Sequence, residues 1–204
     1  MDNRAHWENV YRTKAPDQVG WYQEYPRLSL SFIQRTGIDQ AGHIVDAGGG
    51  SSTLVDHLLD SGFQCITVLD ISGAALQMAR QRLGERAAQV AWIEADAVQP
   101  PLPSHGFDIW HDRAMFHFLT QPEQRQRYVQ AVRHAVKPGG HLILAAFALD
   151  GPPRCSGLEV ARYSPAGLQR ELGEGFWLVD SAREAHVTPS GSKQAYTYCY
   201  FRRG

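Results

Sequence analysis

The sequence predicts an α/β fold in which a mostly parallel sheet is closed by an antiparallel hairpin. Two patterns support this prediction. Short apolar runs alternate with amphipathic stretches through most of the chain, and aromatic residues alternate with others after a Pro-Ser-Gly turn near the C-terminus. Strands covered by helices on both faces have continuous apolar sequences, and repeated strand–helix units join such strands by right-handed crossovers.

Five apolar runs are predicted to be the parallel strands. They are residues 43–46 (HIVD), 65–70 (CITVLD), 90–93 (VAWI), 107–110 (FDIW) and 141–147 (HLILAAF). Helices are predicted from apolar residues at helical spacing, at residues 53–59, 72–83, 122–136 and 165–172. Lys-Pro-Gly-Gly at 137–140 is expected to end the third of these helices.

The C-terminal hairpin is predicted from two extended segments, 176–187 and 193–203, on either side of a turn at 188–192. Tyr196, Tyr198 and Tyr200 alternate with other residues in the second segment, as side chains do along a half-buried strand. The hairpin is therefore expected to close the edge of the parallel sheet.

The N-terminal residues 1–40 lie outside this pattern, and we predict them to be a separate segment ahead of a single globular domain at 41–204. The segment is rich in aromatic residues, which include Trp7, Tyr11, Trp21 and Tyr22. Trp7 and Tyr11 share one helix face. Two interpretations stay open: an amphipathic helix that packs on the domain, and a lid that covers a ligand.

The composition excludes several classes of function. The net charge is −1 over 204 residues, so we expect no surface for nucleic acid or for anionic membrane. The three cysteines are far apart, which gives neither a disulfide framework nor a metal site. No apolar stretch approaches the ~20 residues that span a bilayer, and the start, MDNRAHWENV, lacks a signal peptide's apolar core. We therefore expect a cytoplasmic protein.

Residues 43–52, HIVDAGGGSS, place a glycine turn between a predicted strand and a predicted helix, where backbone amides approach a ligand closely. A phosphate loop needs a lysine after its last glycine, and a dinucleotide fingerprint needs a further glycine where this chain has Thr53. An unpaired Asp46 would also repel a pyrophosphate. The carboxylate suits a cationic ligand, and S-adenosylmethionine carries an ammonium and a sulfonium but no phosphate.

The turn resembles motif I of the class I S-adenosylmethionine-dependent methyltransferases, acid-x-Gly-x-Gly-x-Gly, with Ser52 in place of the last glycine. Residues 107–119 and 136–147 resemble the family's fourth strand and the start of its fifth, so the resemblance covers roughly residues 40–150. It implies a Rossmann-like three-layer sandwich with strand order 3-2-1-4-5-7-6 and strand 7 antiparallel. The ligand would then lie at the carboxyl ends of strands 1 and 4.

The resemblance also implies which residues hold the cofactor. Asp70 would accept hydrogen bonds from the ribose hydroxyls, and Asp96 from the adenine amino group. The amide of Ala97 would bind the adenine ring, and Ile71 would pack on its face. The full set expected for S-adenosylmethionine, and for its product S-adenosylhomocysteine, is Asp46, Ala47, Gly48, Gly49, Gly50, Ser52, Asp70, Ile71, Asp96, Ala97 and His111.

The residues after the fourth strand are expected to face the transferred methyl group. They are His111, Asp112, Arg113, Phe116 and His117. His111 or His117 is a candidate general base, and Asp112 is a candidate partner for a histidine or for an amine acceptor. The alternative is that Asp112 and Arg113 form an ion pair that fixes the turn. Positioning alone supports such a reaction, so a base is not required.

The acceptor stays open between three hypotheses. The stretch WHDRAMFHF, with its Asp-Arg pair, resembles the thiopurine methyltransferase-like enzymes, and the Asn/Asp-Pro-Pro-Tyr tetrad of amino-group methylases is missing. We favour a small S, N or O acceptor beneath the aromatic segment, where Arg113, Arg154 and Arg162 are candidates to bind an acceptor carboxylate. The other hypotheses are a protein-lysine methyltransferase and a non-catalytic S-adenosylmethionine-binding module.

Overall fold

The computed structural model describes residues 3–204, which form a seven-stranded sheet and a small two-stranded one. The strands of the large sheet are β1 (His43–Ala47), β2 (Cys65–Asp70), β3 (Val90–Glu94), β4 (Phe107–Arg113), β5 (Val136–Phe147), β6 (Phe176–Val187) and β7 (Lys193–Arg203). Their order is β3-β2-β1-β4-β5-β7-β6, and β7 is antiparallel to both neighbours. The predicted Rossmann-like fold and its strand order are confirmed.

Helices cover both faces of this sheet. They are α1 (Asn3–Thr13), α2 (Arg27–Arg35), α3 (Leu54–Asp60), α4 (Gly73–Leu83), α5 (Pro122–Ala135) and α6 (Pro165–Leu172). One buried core joins the sheet to α5 and α6, and a second joins it to α2, α3 and α4. Neighbouring strand residues enter different cores, as Ile44 and Val45 do, because side chains alternate along a strand.

Strand β4 is longer than the sequence suggested. It runs on to Arg113 rather than ending at residue 110, because His111, Asp112 and Arg113 continue the parallel pairing with β5. Strand β5 begins at Val136, so residues 137–140, expected to stop a helix, lie in the strand instead. The extension of β4 matters for the site, because it sends successive side chains to opposite faces of the sheet.

Helix α2 has no counterpart among the predicted elements. It follows Pro26, and it buries Leu30, Phe32 and Ile33 in the same core as α3 and α4. Its small polar residue Ser29 is fully buried and points to the region of the glycine turn, where it contacts His111. The second half of the N-terminal segment is thus part of the domain core.

Helix α1 packs on α4 through a polar contact. The Oε1 atom of Glu8 accepts hydrogen bonds from the Ser72 hydroxyl at 3.0 Å and from the Ala74 amide at 3.1 Å. A carboxylate is favoured there because the first turn of a helix has free amides and a positive dipole end. The first two residues of the predicted 1–40 segment lie outside the described residues. Within residues 3–204, no helix is long and apolar enough to cross a membrane.

Candidate cofactor and acceptor site

Two adjoining cavities open at the carboxyl ends of β1, β2, β3 and β4. The larger has an empty volume of about 800 Å³, and the smaller about 490 Å³, each including space open to solvent. Both are lined by Trp21, Gly48 and Arg113. This is the topological switch point of the sheet, since β1 and β4 are neighbours whose connections run in opposite directions.

The glycine turn is shaped for close approach. Gly48 and Gly50 have φ values of 71° and 49°, in the left-handed region that glycine adopts without strain. A Cβ atom on Gly48 would lie 2.5 Å from Met115, and one on Gly50 would lie 2.7 Å from the Tyr11 hydroxyl. A side chain at either position would therefore clash with neighbouring residues of the protein, so the close packing of the turn requires glycine.

Some of the residues expected at the glycine turn line a cavity, and others do not. Asp46, Gly48, Gly49 and Ser52 line the smaller cavity. Ala47 is fully buried in the core beneath the turn and lines neither cavity. Gly50 also lines neither, but its position beside Tyr11 fixes where the N-terminal helix meets the turn.

Asp46 is buried and paired with His111. The carboxylate Oδ1 lies 2.7 Å from the His111 Nδ1, and the His111 Nε2 lies 2.8 Å from the Ser29 hydroxyl oxygen. All three side chains line the smaller cavity. Because both ring nitrogens are engaged, His111 holds the acid in place and joins the glycine turn to α2.

The larger cavity contains the residues expected to hold adenosine. Asp70, Ile71, Asp96 and Ala97 all line it. The Oδ1 atom of Asp70 accepts a hydrogen bond from the Ser72 amide at 2.8 Å. The pKa of Asp70 is raised to about 7. Burial is the main cause, the nearby carboxylates of Asp46 and Glu8 act in the same direction, and the hydrogen bond from Ser72 opposes them. A ligand that donates hydrogen bonds to Asp70 would stabilise its charged form.

Asp112 and Phe116 were expected at the methyl group, and the structure corrects both. Asp112 is fully buried on the α5 face of the sheet, where its oxygens accept from the Tyr128 hydroxyl at 2.8 Å and from the Met115 amide at 3.0 Å. Phe116 is fully buried in the same core. Neither residue lines a cavity. The cause is the alternation along β4, which turns Asp112 away from His111 and Arg113.

His117 does not have the geometry of a general base. Its ring is fully buried between Phe118 and Phe147, and its Nδ1 accepts a hydrogen bond from the Phe147 amide at 3.3 Å. Burial lowers the pKa of His117 to about 3. The neutral ring therefore carries its proton on Nε2, which has no hydrogen-bond partner among the described residues. His117 lines neither cavity.

Arg113 reaches the site from the end of β4 but does not pair with Asp112. Its guanidinium donates to the Tyr198 hydroxyl at 2.7 Å, to the Trp21 carbonyl at 2.8 Å and to Glu184 at 3.0 Å. It also stacks over the Tyr196 ring, 4.5 Å from the centroid. The buried partner of Arg113 is thus Glu184, on β6, and the alternative of an Asp112–Arg113 ion pair is wrong.

The aromatic residues of the N-terminal segment meet over the larger cavity. Trp7 contacts Phe118 edge to face at 4.8 Å and Trp21 at 5.7 Å, and Tyr11 contacts Trp21 at 6.1 Å between ring centroids. Trp7, Tyr11, Trp21 and Phe118 all line this cavity, while Tyr22 lines the smaller one. The segment therefore both packs on the domain and covers the site, so the two interpretations of it are compatible.

Arg154 and Arg162 lie outside the site. Both are exposed, and they donate to the carbonyls of Gly157 and Gly151 respectively. Neither lines a cavity, so neither is in position to bind an acceptor carboxylate there. Arg154 belongs to the short hairpin of Arg154–Cys155 and Leu158–Glu159, which turns it outward.

Sequence reasoning missed several residues of the site. Ser29, Met115, Phe118 and Gln124 line the cavities, and Glu184 holds Arg113. The apolar spacing of residues 28–33 after Pro26 was a signal for α2 and thus for Ser29. Glu184 gave no such signal, because its pairing with Arg113 spans 71 positions. Among the described residues, no group of His, Cys, Asp and Glu is arranged to hold a metal ion.

Known proteins resemble this chain in sequence. Residues 44–140 match the family described as methyltransferase domain. The chain is 27% identical to a 2-heptyl-1-hydroxyquinolin-4(1H)-one methyltransferase of Mycobacteroides abscessus, over 91% of this chain and 82% of that protein. It is 25% identical to an eEF1A lysine and N-terminal methyltransferase of Danio rerio, over 71% of this chain but only 21% of that protein. The chain thus spans about a fifth of the length of that relative.

Solved structures show the same fold. A Burkholderia thailandensis 1,6-didemethyltoxoflavin-N1-methyltransferase, with 1,6-didemethyltoxoflavin and S-adenosylhomocysteine bound, superposes with a TM-score of 0.73 at 19% identity, over 98% of this chain and 86% of that one. The likeness to this structure, at 19% identity, is one of fold.

Proposed function

We propose that the protein transfers a methyl group to a small, flat acceptor through an S, N or O atom. The observation that carries this proposal is the make-up of the cavity walls. Trp7, Trp21 and Phe118 present aromatic rings, and Arg113 supplies a positive charge beside them. Aromatic walls with few polar groups suit a planar apolar ligand.

We propose that S-adenosylmethionine is the cofactor and that it occupies the two cavities. Asp70 would accept from the ribose hydroxyls, and Asp96 and Ala97 would bind the adenine, with Ile71 against its face. The smaller cavity, beside the Asp46–His111 pair and Ser29, would hold the methionine end, since a carboxylate there favours an ammonium group. The proposal is supported by the buried carboxylate of Asp70 and the exposed carboxylate of Asp96, which both line the larger cavity.

The protein's part in the reaction is alignment. S-adenosylmethionine supplies an activated methyl group that leaves a neutral thioether behind. The residues shared by both cavities, Trp21, Gly48 and Arg113, mark where the methyl group would face the acceptor. The aromatic segment excludes water and restricts the acceptor's orientation, which is the main source of rate when no covalent step on the protein is needed.

A protein-lysine methyltransferase is the second candidate, favoured by the similarity to the eEF1A methyltransferase. A lysine acceptor needs a carboxylate or carbonyls near its ammonium group. The carboxylates on the cavity walls are Asp46, Asp70 and Asp96, all in positions proposed for the cofactor. Glu184, the partner of Arg113, lines neither cavity. The walls therefore support the small acceptor better. The resemblance to the thiopurine methyltransferase-like enzymes stays a prediction, and the two side chains that carry it, Asp112 and Arg113, contact different parts of the protein.

Two measurements test this proposal in sequence. Calorimetry with S-adenosylhomocysteine tests the cofactor site, with Asp70→Asn as the disabling variant and Asp150→Asn, at an exposed ion pair, as the matched control. Labelled methyl transfer to a panel of hydroxyquinolines, thiols, amines and lysine peptides then tests the acceptor. Turnover of lysine peptides alone would favour the second candidate. Tight cofactor binding without any turnover would favour a non-catalytic binding module.

A further inference from the structure

We propose that the acceptor binds as its conjugate anion against Arg113, and that no group of the protein removes its proton. The inference rests on the proposed methyl transfer and narrows the acceptor to weak acids, such as thiols, phenols and N-hydroxy heteroaromatics. The supporting observations are the titratable groups that line the cavities, the hydrogen bonds that these groups make, and the charge of Arg113.

The candidate bases near the methyl position are already occupied. Both ring nitrogens of His111 are bonded, one to Asp46 and one to Ser29. His117 and Asp112 are fully buried and line neither cavity. His117 also presents a protonated Nε2, because its Nδ1 accepts from the Phe147 amide. None of these groups has a free lone pair facing the acceptor.

The other acidic residues on the cavity walls are the ones proposed to bind the cofactor. Asp70 and Asp96 line the adenosine end of the larger cavity, and Asp46 lines the methionine end of the smaller one. With the cofactor bound, their oxygens accept its hydrogen bonds. Within residues 3–204, the walls of these two cavities then offer no free carboxylate or imidazole to take a proton from the acceptor.

Arg113 is the one lysine or arginine on the walls of these cavities within the described chain. Three acceptors, Tyr198, Trp21 and Glu184, and the ring of Tyr196 fix its guanidinium in place. A guanidinium has more N–H groups than these contacts use. Arg113 lines both cavities, and in the proposed complex its unused N–H groups bind the anion. A fixed donor loses little entropy on binding.

The step balances without a protein base. The acceptor gives its proton to water before it binds, so it enters as an anion. A lone pair on its S, N or O atom then forms a bond to the methyl carbon while the carbon–sulfur bond breaks, and that electron pair stays on sulfur. The negative acceptor and the positive sulfonium become two neutral groups, and Arg113 keeps its contacts throughout.

The test measures binding of probe acids to the protein loaded with S-adenosylhomocysteine, so it does not depend on turnover. Ring-substituted thiophenols and phenols, from nitrothiophenol to unsubstituted phenol, are titrated by calorimetry across a range of pH. We expect affinity to rise with pH through the acid pKa of each probe and then to level off. Arg113→Met should weaken binding of the ionised probes about tenfold or more, and Arg113→Lys should weaken it less.

A second variant separates this role from a structural one. Glu184→Gln removes the counter-charge of Arg113 while keeping a side chain of the same shape, so it should strengthen binding of the ionised probes. If Arg113 only supported the fold, both variants would weaken binding alike. Arg125→Met, at the separate Arg125–Glu171 pair, is the matched control and should leave probe affinity unchanged.

The outcomes are distinct. Loss of S-adenosylhomocysteine binding by the unaltered protein would overturn the proposed function itself. Cofactor binding with no affinity for any probe, or with equal affinity for neutral and ionised probes, would overturn only the inference about the anion. So would weaker binding in Glu184→Gln, because removal of a negative charge cannot repel an anion.

Discussion

The His111 Nδ1 atom lies 2.7 Å from the Asp46 Oδ1 atom, and both side chains are almost completely buried. The acid that begins the glycine turn is therefore held by the next strand of the sheet, and not by solvent. The Ser29 hydroxyl completes the contact from α2. Three distant parts of the chain thus fix the orientation of one carboxylate at the proposed methionine site.

Replacement of His111 by phenylalanine should destabilise the protein, because it leaves Asp46 buried without its partner. We expect a loss of about 3 kcal/mol in the free energy of unfolding, measured by urea denaturation, together with weaker binding of S-adenosylmethionine. The double variant Asp46→Asn/His111→Phe should recover part of the stability, since it removes the unpaired charge. Failure of the double variant to recover any stability would contradict the pairing.

Cofactor affinity should rise with pH around neutrality. The pKa of Asp70 is raised to about 7 by burial, and ribose hydroxyls donate more strongly to its charged form than to the neutral acid. Binding should therefore lower that pKa and release a proton, and affinity should increase as the pH rises through about 7. Calorimetry in two buffers of different ionisation enthalpy detects the released proton. Asp70→Asn should lose about 100-fold in affinity and show no proton release.

The same residue sets a stability trend in the cofactor-free protein. The pKa of Asp70 is about 7 when folded, above the value of about 3.9 for an unfolded aspartate. The folded state therefore binds the proton more tightly, and this group's contribution favours folding most at acid pH and declines as the pH rises between those two values. Asp70→Asn should flatten that decline in a series of urea unfolding curves, and an unchanged slope would argue against the raised pKa.

Tyr128 should matter for stability and not for the cofactor. Its hydroxyl donates to Asp112 at 2.8 Å and accepts from the Trp110 indole at 3.0 Å. Tyr128→Phe removes both bonds in the core, and we expect a loss of about 1–3 kcal/mol in the free energy of unfolding. S-adenosylhomocysteine affinity should stay within error of the unaltered protein. A large loss of affinity at unchanged stability would place Asp112 in the site after all.

Trp7 should act on the acceptor rather than on the cofactor's methionine end. Its ring lies between Trp21 and Phe118 on the wall of the larger cavity. Trp7→Ala opens that wall, so we expect the KM for the acceptor to rise several-fold with a smaller change in cofactor affinity. Trp177→Ala is the matched control, because Trp177 is 58% exposed on the edge strand β6. Equal effects of both substitutions would contradict the role of the aromatic cover.

The sequence predicted the sheet well because buried parallel strands have distinctive apolar runs. The strand order and the placement of Asp70 and Asp96 at strand ends followed from the resemblance. The side chains after residue 110 were harder to place from the sequence. His111, Asp112 and Arg113 continue one strand and alternate between its faces, and no local sequence pattern marks the end of that strand. Arg113 finds its partner on β6, far along the chain. Long-range polar pairs of this kind depend on tertiary packing, which local patterns do not encode.

The contact of Glu8 with Ser72 and Ala74 has a consequence for which fragments of the chain would keep the candidate site. The first turn of α4 is completed by a carboxylate 64 positions earlier in the chain, beside the aspartate proposed to hold the ribose. The smallest working unit therefore includes α1, and a fragment beginning at residue 41 would lose part of the scaffold of its own nucleoside site. Because Trp7 and Tyr11 of α1 line the larger cavity and Glu8 contacts α4, a substitution in this helix that altered the proposed acceptor site would also act on the proposed nucleoside site.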